Sequence, residues 1–359
     1  VKLPKTFVIA EAGVNHNGSM DLAERLIDAA AAAGADAVKF QTFKAERLLT
    51  REAPKAQYQT RTTDPAETQY EMIRALELTP PMHRELSDRC RRHGLGFLST
   101  PFDEKSLDFL VDEIGLDTIK LPSGEVTNGA FLLHAARRAR KIILSTGMST
   151  LDECRDALAI IAFGMQASDG VPLRDESERA LLDRPEVEKL LRDRLTLLHC
   201  TTEYPAAFAD VNLLAIDTLR DAFGVTVGLS DHTPGISIAI AAVARGASVI
   251  EKHFTLDRNL PGPDHAASLL PQELSDMVAG IRAVEVALGD GQKAPVKAEL
   301  NNRTVVRKSI VAARDILKGE HFDATNLTAK RPGNGRSPME IWSLFGKVAD
   351  RDYRADEPI

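Results

Sequence analysis

Eight short apolar runs, each separated from the next by a helix-forming stretch, constrain this chain more than any other feature it has. The runs cover residues 6–10, 36–41, 96–100, 117–121, 141–145, 195–200, 225–229 and 247–252. Amphipathic or Ala/Leu-rich segments such as 19–33, 81–93, 150–163, 212–222 and 271–288 lie between and after them. Short apolar runs bounded by turn residues read as strands buried on both faces, and strand–helix alternation repeated eight times predicts an α/β fold, a (β/α)8 TIM barrel. A doubly wound sheet is the alternative, but no GxGxxG follows any of these runs, which argues against a dinucleotide fold.

The barrel is expected over 1–288. Gly289-Asp290-Gly291 breaks the last helix and opens a polar linker, 289–300. Beyond it, 301–359 holds short β-like runs at 304–306 and 309–312, turn signals at Lys318-Gly319 and Pro332-Gly333-Asn334-Gly335, and little helix. That predicts a small, mainly β domain, marginal alone and docked on the barrel or on a partner subunit. Two connections are oversized. Segment 43–78 follows the second strand and is polar enough to serve as a lid, whereas 164–194, dense in Arg, Asp and Glu, precedes the sixth strand and belongs to the opposite face.

A net charge of −7 argues against nucleic acid or an anionic membrane as partner. Cys90, Cys154 and Cys200 are far apart and outside any CxxC spacing, as expected of thiols in a reducing compartment. No apolar run approaches the ~20 residues needed to cross a bilayer. Val1 to Lys5 leads into the first strand without a signal-peptide pattern, and a soluble cytoplasmic protein is expected.

In a barrel of this kind functional side chains gather at the C-terminal ends of the strands. Those ends carry Glu11, Lys39, Gln41, Ser99, Thr100, Lys120, Ser123, Glu125, Ser145, Thr146, Thr201, Thr202, Ser230, His232 and His253. Lys39 and Lys120 interrupt apolar strands, where a cation is costly unless an anion meets it. With the hydroxyls and the Ser145-Thr146-Gly147 turn they suit a ligand bearing phosphate and carboxylate. His232 and His253 end adjacent strands, and two imidazoles with water and substrate oxygen suit a labile Mn2+, or Mg2+ or Co2+, acting as a Lewis acid. No Cys-rich or HExxH pattern of a tight zinc centre accompanies them. His16 reads as loop-ordering and His199 as a core residue, while Asp264 reaches the mouth from the loop after the eighth strand.

The ordered motifs AEAGVNHNG (10–18), VKFQTFKAE (38–46), FLSTPFD (97–103), KLPSGE (120–125), ILSTGM (143–148), HCTTEYP (199–205), GLSDHT (228–233), EKHFTLD (251–257), GPDHAAS (262–268) and KRPGNG (330–335) resemble the bacterial sialic acid synthases. The resemblance spans almost the whole chain, and the tail is similar to their antifreeze-like (SAF) domain. It implies a transferase that condenses phosphoenolpyruvate with an open-chain N-acyl mannosamine-type sugar, releasing phosphate by C–O cleavage. The product would be a nine-carbon 2-keto acid of the N-acetylneuraminate type.

The alternative sugar is 2,4-diacetamido-2,4,6-trideoxymannose, since AEAGVNHNG together with HCTTEYP looks more like the legionaminic acid synthases. The resemblance further implies that His232 and His253 hold the metal, and that Lys39, Thr100, Lys120, Ser123, Ser145, Thr201, Thr202 and Ser230 hold phosphoenolpyruvate. Glu11, Gln41, Tyr204 and Asp264 would contact the sugar, Glu125 would help deliver water, and a domain-swapped homodimer would bring Arg331 of a partner to the N-acyl group. Two other readings are a Schiff-base aldolase using Lys39 or Lys120 and a non-catalytic glycan-binding protein. Both leave the two histidines without a role.

Overall fold

The computed structural model describes residues 5–55, 59–63, 66–166 and 179–359. Eight strands line up as expected: β1 (Phe7–Gly13), β2 (Ala37–Thr42), β3 (Gly96–Pro101), β4 (Thr118–Leu121), β5 (Lys141–Ser145), β6 (Leu195–Cys200), β7 (Thr226–Asp231) and β8 (Val249–His253). All pair in parallel in the order β3-β2-β1-β8-β7-β6-β5-β4, and β3 packs against β4 to close the ring. Pairing of β1 with both β2 and β8 brings the first and last strands side by side, so Glu11 lies between Lys39 and His253 in the ladder.

Alternation along each strand makes two cores. Ile9, Ala37, Leu98, Ile143, Leu198 and Val249 point inward and plug the barrel. Their neighbours, including Val8, Val38, Ile119, Leu144, Leu197 and Ile250, point outward and meet the helices. The helix Leu151–Met165 shows how a helix is recruited: Thr150 and Glu153 form a capping box at its start, and Cys154, Ala157, Leu158, Ile161, Ala162 and Met165 form its buried face. Each fully buried Leu or Ile of this kind contributes about 1.5–3 kcal/mol. On the N-terminal face, Asp36 accepts from the Val8 amide, Lys5 and Arg282, tying β1, β2 and the last barrel helix together.

The segment between β5 and β6 ends in the helix Pro185–Arg194, and Arg194 donates to the carbonyls of Ala139 and Arg140, on the face opposite the strand C-termini. Residues 167–178 of this segment lie outside the described residues. Among the described residues no helix is long and apolar enough to cross a membrane.

The chain divides into two compact units, Val1–Asp290 and Gly291–Ile359. In the second unit β9 (Ser309–Ala312) and β10 (Leu327–Lys330) pair antiparallel around Ile310, Ile316, Phe322, Leu327, Leu344 and Tyr353. One expectation is corrected here. Residues 304–306 are not β-like but form the last turn of a helix, Lys297–Val306, which begins inside the expected linker. The Glu299 carboxylate accepts from the Val296 amide at 2.9 Å, and this start signal with the helix formers Lys297 to Leu300 outweighs the β-branched Thr304, Val305 and Val306.

Candidate active site

A cavity of about 260 Å³ opens at the C-terminal ends of the strands, and its floor is ionic. Lys39 Nζ lies 2.8 Å from Glu11 Oε2, 3.6 Å from Glu251 Oε2, and donates to Thr100 Oγ1 at 3.0 Å. Lys120 Nζ lies 3.6 Å from Glu251 Oε1, which accepts from Ser230 Oγ at 2.8 Å. All four charged side chains are buried.

Their environments push the two carboxyls apart. Burial raises Glu11 to about 7, with Lys39 offsetting only part of the effect. Glu251 meets the same burial, but Lys120, Lys39 and the Ser230 hydroxyl outweigh it and hold the carboxyl at about 2. Burial acts to lower Lys39, but Glu11 and Glu251 together outweigh it and leave the ammonium raised. Lys120 is lowered by burial and by Lys39, which Glu251 only partly offsets. Two lysines thus face one firmly ionised carboxylate and one poised near neutrality, which leaves the chamber suited to an anion.

Several buried polar atoms here have no hydrogen-bond partner among the described residues: Ser145 Oγ, Thr202 Oγ1 and His253 Nδ1. Leaving such an atom unpaired costs about 1–3 kcal/mol, so a group of them around one cavity marks a surface built for a ligand.

The histidines stand above the floor. His232 Nδ1 donates to the Thr201 carbonyl at 2.7 Å, which leaves Nε2 outside that bond, 3.5 Å from Ser230 Oγ; burial acts to lower the ring, but Cys200 and the Thr201 carbonyl outweigh it and leave it raised. The His232 and His253 ring centres are 5.4 Å apart, and Tyr204 packs at 4.1 Å from His232. Burial, then His232 and Lys39, lower His253 well below its usual range, so it stays neutral and able to ligate. Asp264 Oδ2 lies 3.9 Å from His253 Nδ1, and burial raises this carboxyl to about 6.

Among the described residues no three His, Cys, Asp or Glu side chains form a ready ligand group. The donor set fits an open two-histidine site that takes further ligands from solvent or substrate. It does not fit a closed structural one.

Part of the cavity wall is apolar. Val14, Phe43, Leu48, Ile73 and Phe102 line it, the last four from or beside the long connection after β2, and Phe43 and Phe102 meet edge to face.

Residues 26–293 match the NeuB family and residues 307–359 the SAF domain. The chain belongs to the NeuB family. Within it, the chain is 49% identical to an N,N'-diacetyllegionaminic acid synthase of Campylobacter jejuni over 99% of both chains. It is 46% identical to an N,N'-diacetyllegionaminic acid synthase of Legionella pneumophila, over 95% of this chain and 89% of that one. Among solved structures it resembles an N-acetylneuraminic acid synthetase of Leptospira borgpetersenii in complex with citrate, at 32% identity and a TM-score of 0.66, covering 83% of this chain and 90% of that one. With this membership the chain is an enzyme, a transferase of the sialic acid synthase type.

Of the residues singled out in sequence, this NeuB-family barrel brings thirteen to the cavity lining: Glu11, Lys39, Gln41, Thr100, Lys120, Ser123, Ser145, Thr202, Tyr204, Ser230, His232, His253 and Asp264. Four other strand-end candidates stand outside it: Ser99, whose hydroxyl bonds that of Thr42, Thr146, whose hydroxyl donates to the Leu198 carbonyl, Thr201 and Glu125. The Thr201 hydroxyl turns away to the Asp210 carbonyl, and only its backbone serves the site, through His232. Glu125 sits on the short turn after β4 with its carboxylate accepting from Asn128 at 2.7 Å. Arg331 belongs to the second unit. His16 accepts from the Gly18 amide, ordering its loop, and His199 bonds the Val211 carbonyl.

Glu251 is the residue that sequence reading missed. Its signal was present: it lies two positions before His253 on one strand, hence on the same inward face.

Gly147 closes the floor. A Cβ there would lie 2.3 Å from Thr202 Oγ1 and 2.9 Å from Ser123 Oγ, the hydroxyl that accepts the Gly147 amide. Gly147→Ala therefore displaces two candidate ligand hydroxyls without touching the barrel core. The expected result is a loss of about 100-fold in kcat/KM for the anionic substrate, the scale of a misplacement near 1 Å. An unchanged steady-state value would remove this turn from the binding surface.

Proposed function

We propose that the chain condenses phosphoenolpyruvate with open-chain 2,4-diacetamido-2,4,6-trideoxymannose, giving N,N'-diacetyllegionaminate and phosphate. The observation that carries this reading is the mixed lining of the cavity, in which two lysines, two glutamates and several hydroxyls share the space with an apolar cluster. The similarity to two legionaminic acid synthases over most of their length supports the same sugar in preference to N-acetylmannosamine.

Lys39 and Lys120 would offset the charge of phosphoenolpyruvate, while Ser123, Ser145, Thr100, Thr202 and Ser230 give its phosphate and carboxylate directional partners. C3 of phosphoenolpyruvate forms the new bond to the sugar aldehyde carbon. Water adds at C2, and cleavage of the C2–O bond expels phosphate and leaves the 2-keto group. Glu11, buried beside Lys39 with its carboxyl at about 7, is suited to hold and move a proton near neutrality. Glu125 assists with water only once its carboxylate leaves Asn128.

His232 Nε2 and His253 Nδ1 would hold a divalent metal, with Mn2+ favoured over Mg2+ or Co2+. The metal supplies Lewis-acid stabilisation of charge at the aldehyde oxygen. Gln41, Tyr204 and Asp264 line the route to the sugar. We further read the enzyme as a cytoplasmic, domain-swapped homodimer in which Arg331 of one subunit reaches the N-acyl group in the other. Three buried, unpaired cysteines accord with a reducing compartment.

The apolar wall makes the sugar choice testable. A C6 methyl and the methyl of a second acetamido group would meet Val14, Phe43, Leu48, Ile73 and Phe102 at no polar cost, whereas the C6 hydroxyl of N-acetylmannosamine would lose water against these apolar side chains. Phosphate release with the two sugars, compared as kcat/KM, should favour the diacetamido sugar by about 100-fold. A preference for N-acetylmannosamine would make the enzyme an N-acetylneuraminate synthase, and release with neither would overturn the substrate assignment.

A further inference from the structure

Behind the two histidines lies a buried ion pair that the chemistry above does not use. Asp231 and Lys252 immediately precede His232 and His253, and strand alternation turns them out of the cavity toward the helix layer. They face each other in the ladder, as its last β7–β8 partners. Lys252 Nζ donates to Asp231 Oδ2 at 2.7 Å and also to the Thr233 carbonyl. Asp231 Oδ1 accepts from the Thr233 amide at 2.9 Å and from its hydroxyl at 2.8 Å. Both charged side chains are 1% exposed.

The residues on either side of His232 are thus tied to the residue before His253. The tie sits where the β7–β8 ladder stops: beyond it the backbones of His232 and His253 bond other segments, the His232 carbonyl to the Ala206 amide and His253 to β1 and Leu269, so this side-chain link joins the two strand ends directly. Stability alone is a poor reason for such a pair, because well-packed neutral residues often replace a buried ion pair without loss.

We infer that Asp231, Lys252 and Thr233 form a positioning staple that fixes His232 against His253 and thereby sets the affinity of the metal site. The inference rests on the metal reading proposed above. Groups behind metal ligands commonly change affinity by about 10–100-fold when removed.

The test uses the full chain and Mn2+ as the probe, counting free Mn2+ by electron paramagnetic resonance. Wild type is compared with His232→Ala/His253→Ala, Asp231→Asn/Lys252→Met and Thr233→Val, with circular dichroism melts on each. The paired neutral variant should keep its fold and its phosphoenolpyruvate affinity in metal-free protein, yet bind Mn2+ about 10–100-fold more weakly. Thr233→Val should move Mn2+ affinity the same way by less.

If wild type binds Mn2+ through its histidines and the paired variant binds it equally well, the staple has no positioning role. If the paired variant does not fold, Thr233→Val decides: unchanged Mn2+ affinity overturns the inference and weakened affinity supports it. A wild type that binds no Mn2+, or binds it as well without the two histidines, defeats the metal reading itself.

Discussion

Stripping divalent metal from the enzyme is expected to abolish phosphate release, and Mn2+ to restore it to wild type but not to His232→Ala/His253→Ala. This is the largest effect expected from the site. A Lewis acid at a developing oxyanion is worth several kcal/mol, and each 1.36 kcal/mol is tenfold in rate, so the loss should be at least about 1,000-fold. The expectation rests on two imidazoles with ring centres 5.4 Å apart, one oriented by its Nδ1 bond to the Thr201 carbonyl and the other with a buried nitrogen that has no hydrogen-bond partner among the described residues. Full turnover by chelated protein would remove the metal and revive a Schiff base. The reading then needs a lysine trapped by borohydride, and here the ionic neighbours speak against Lys39. Its ammonium is held by Glu11 and Glu251 and is raised in pKa, the opposite of what a nucleophilic amine requires.

Glu11→Gln is the second. The substitution keeps shape and removes both the charge beside Lys39 and a cavity carboxyl held at about 7. Loss of a positioned acid or base lowers kcat by about 100- to 10,000-fold. The control is Glu125→Gln, whose parent carboxylate is turned onto Asn128. Rapid-quench measurement of phosphate formation with saturating substrates separates the two. A severe defect in Glu125→Gln with near-normal turnover in Glu11→Gln would reverse the roles and require Glu125 to swing inward when substrate binds. The Glu11→Gln variant also leaves Lys39 paired only with Glu251 among the cavity carboxylates. A melt should accompany the kinetics, because unbalancing a buried charge is destabilising in its own right.

Much of this architecture is readable along the chain because parallel-barrel strands advertise themselves. Each is a short apolar run between a helix and a turn, and in such a fold every strand end points at one mouth. That rule alone assembled Lys39, Lys120, Ser145, Ser230, His232 and His253 from positions more than 200 residues apart. It failed where side-chain direction matters more than position. Thr201 and Glu125 end strands or follow them as expected, yet local hydrogen bonds to Asp210 and Asn128 turn them aside. Glu251 was passed over although, like Lys39 and Lys120, it interrupts an apolar run and alternation puts it on the face of His253. The helix Lys297–Val306 was hidden because its last turn is β-branched, and a capping interaction at the other end overrides that preference.

The order of elements, the closure of the barrel and the types of group at its mouth were determined by sequence, through periodicity and the placement of charge in apolar strands. Tertiary structure decided the protonation balance and the shape of the cavity. Glu11 at about 7 and Glu251 at about 2 are the same residue type, equally buried, and differ only in which lysines and hydroxyls the neighbouring strands bring within reach. No linear pattern carries that difference, because an electrostatic environment is a sum over neighbours in space.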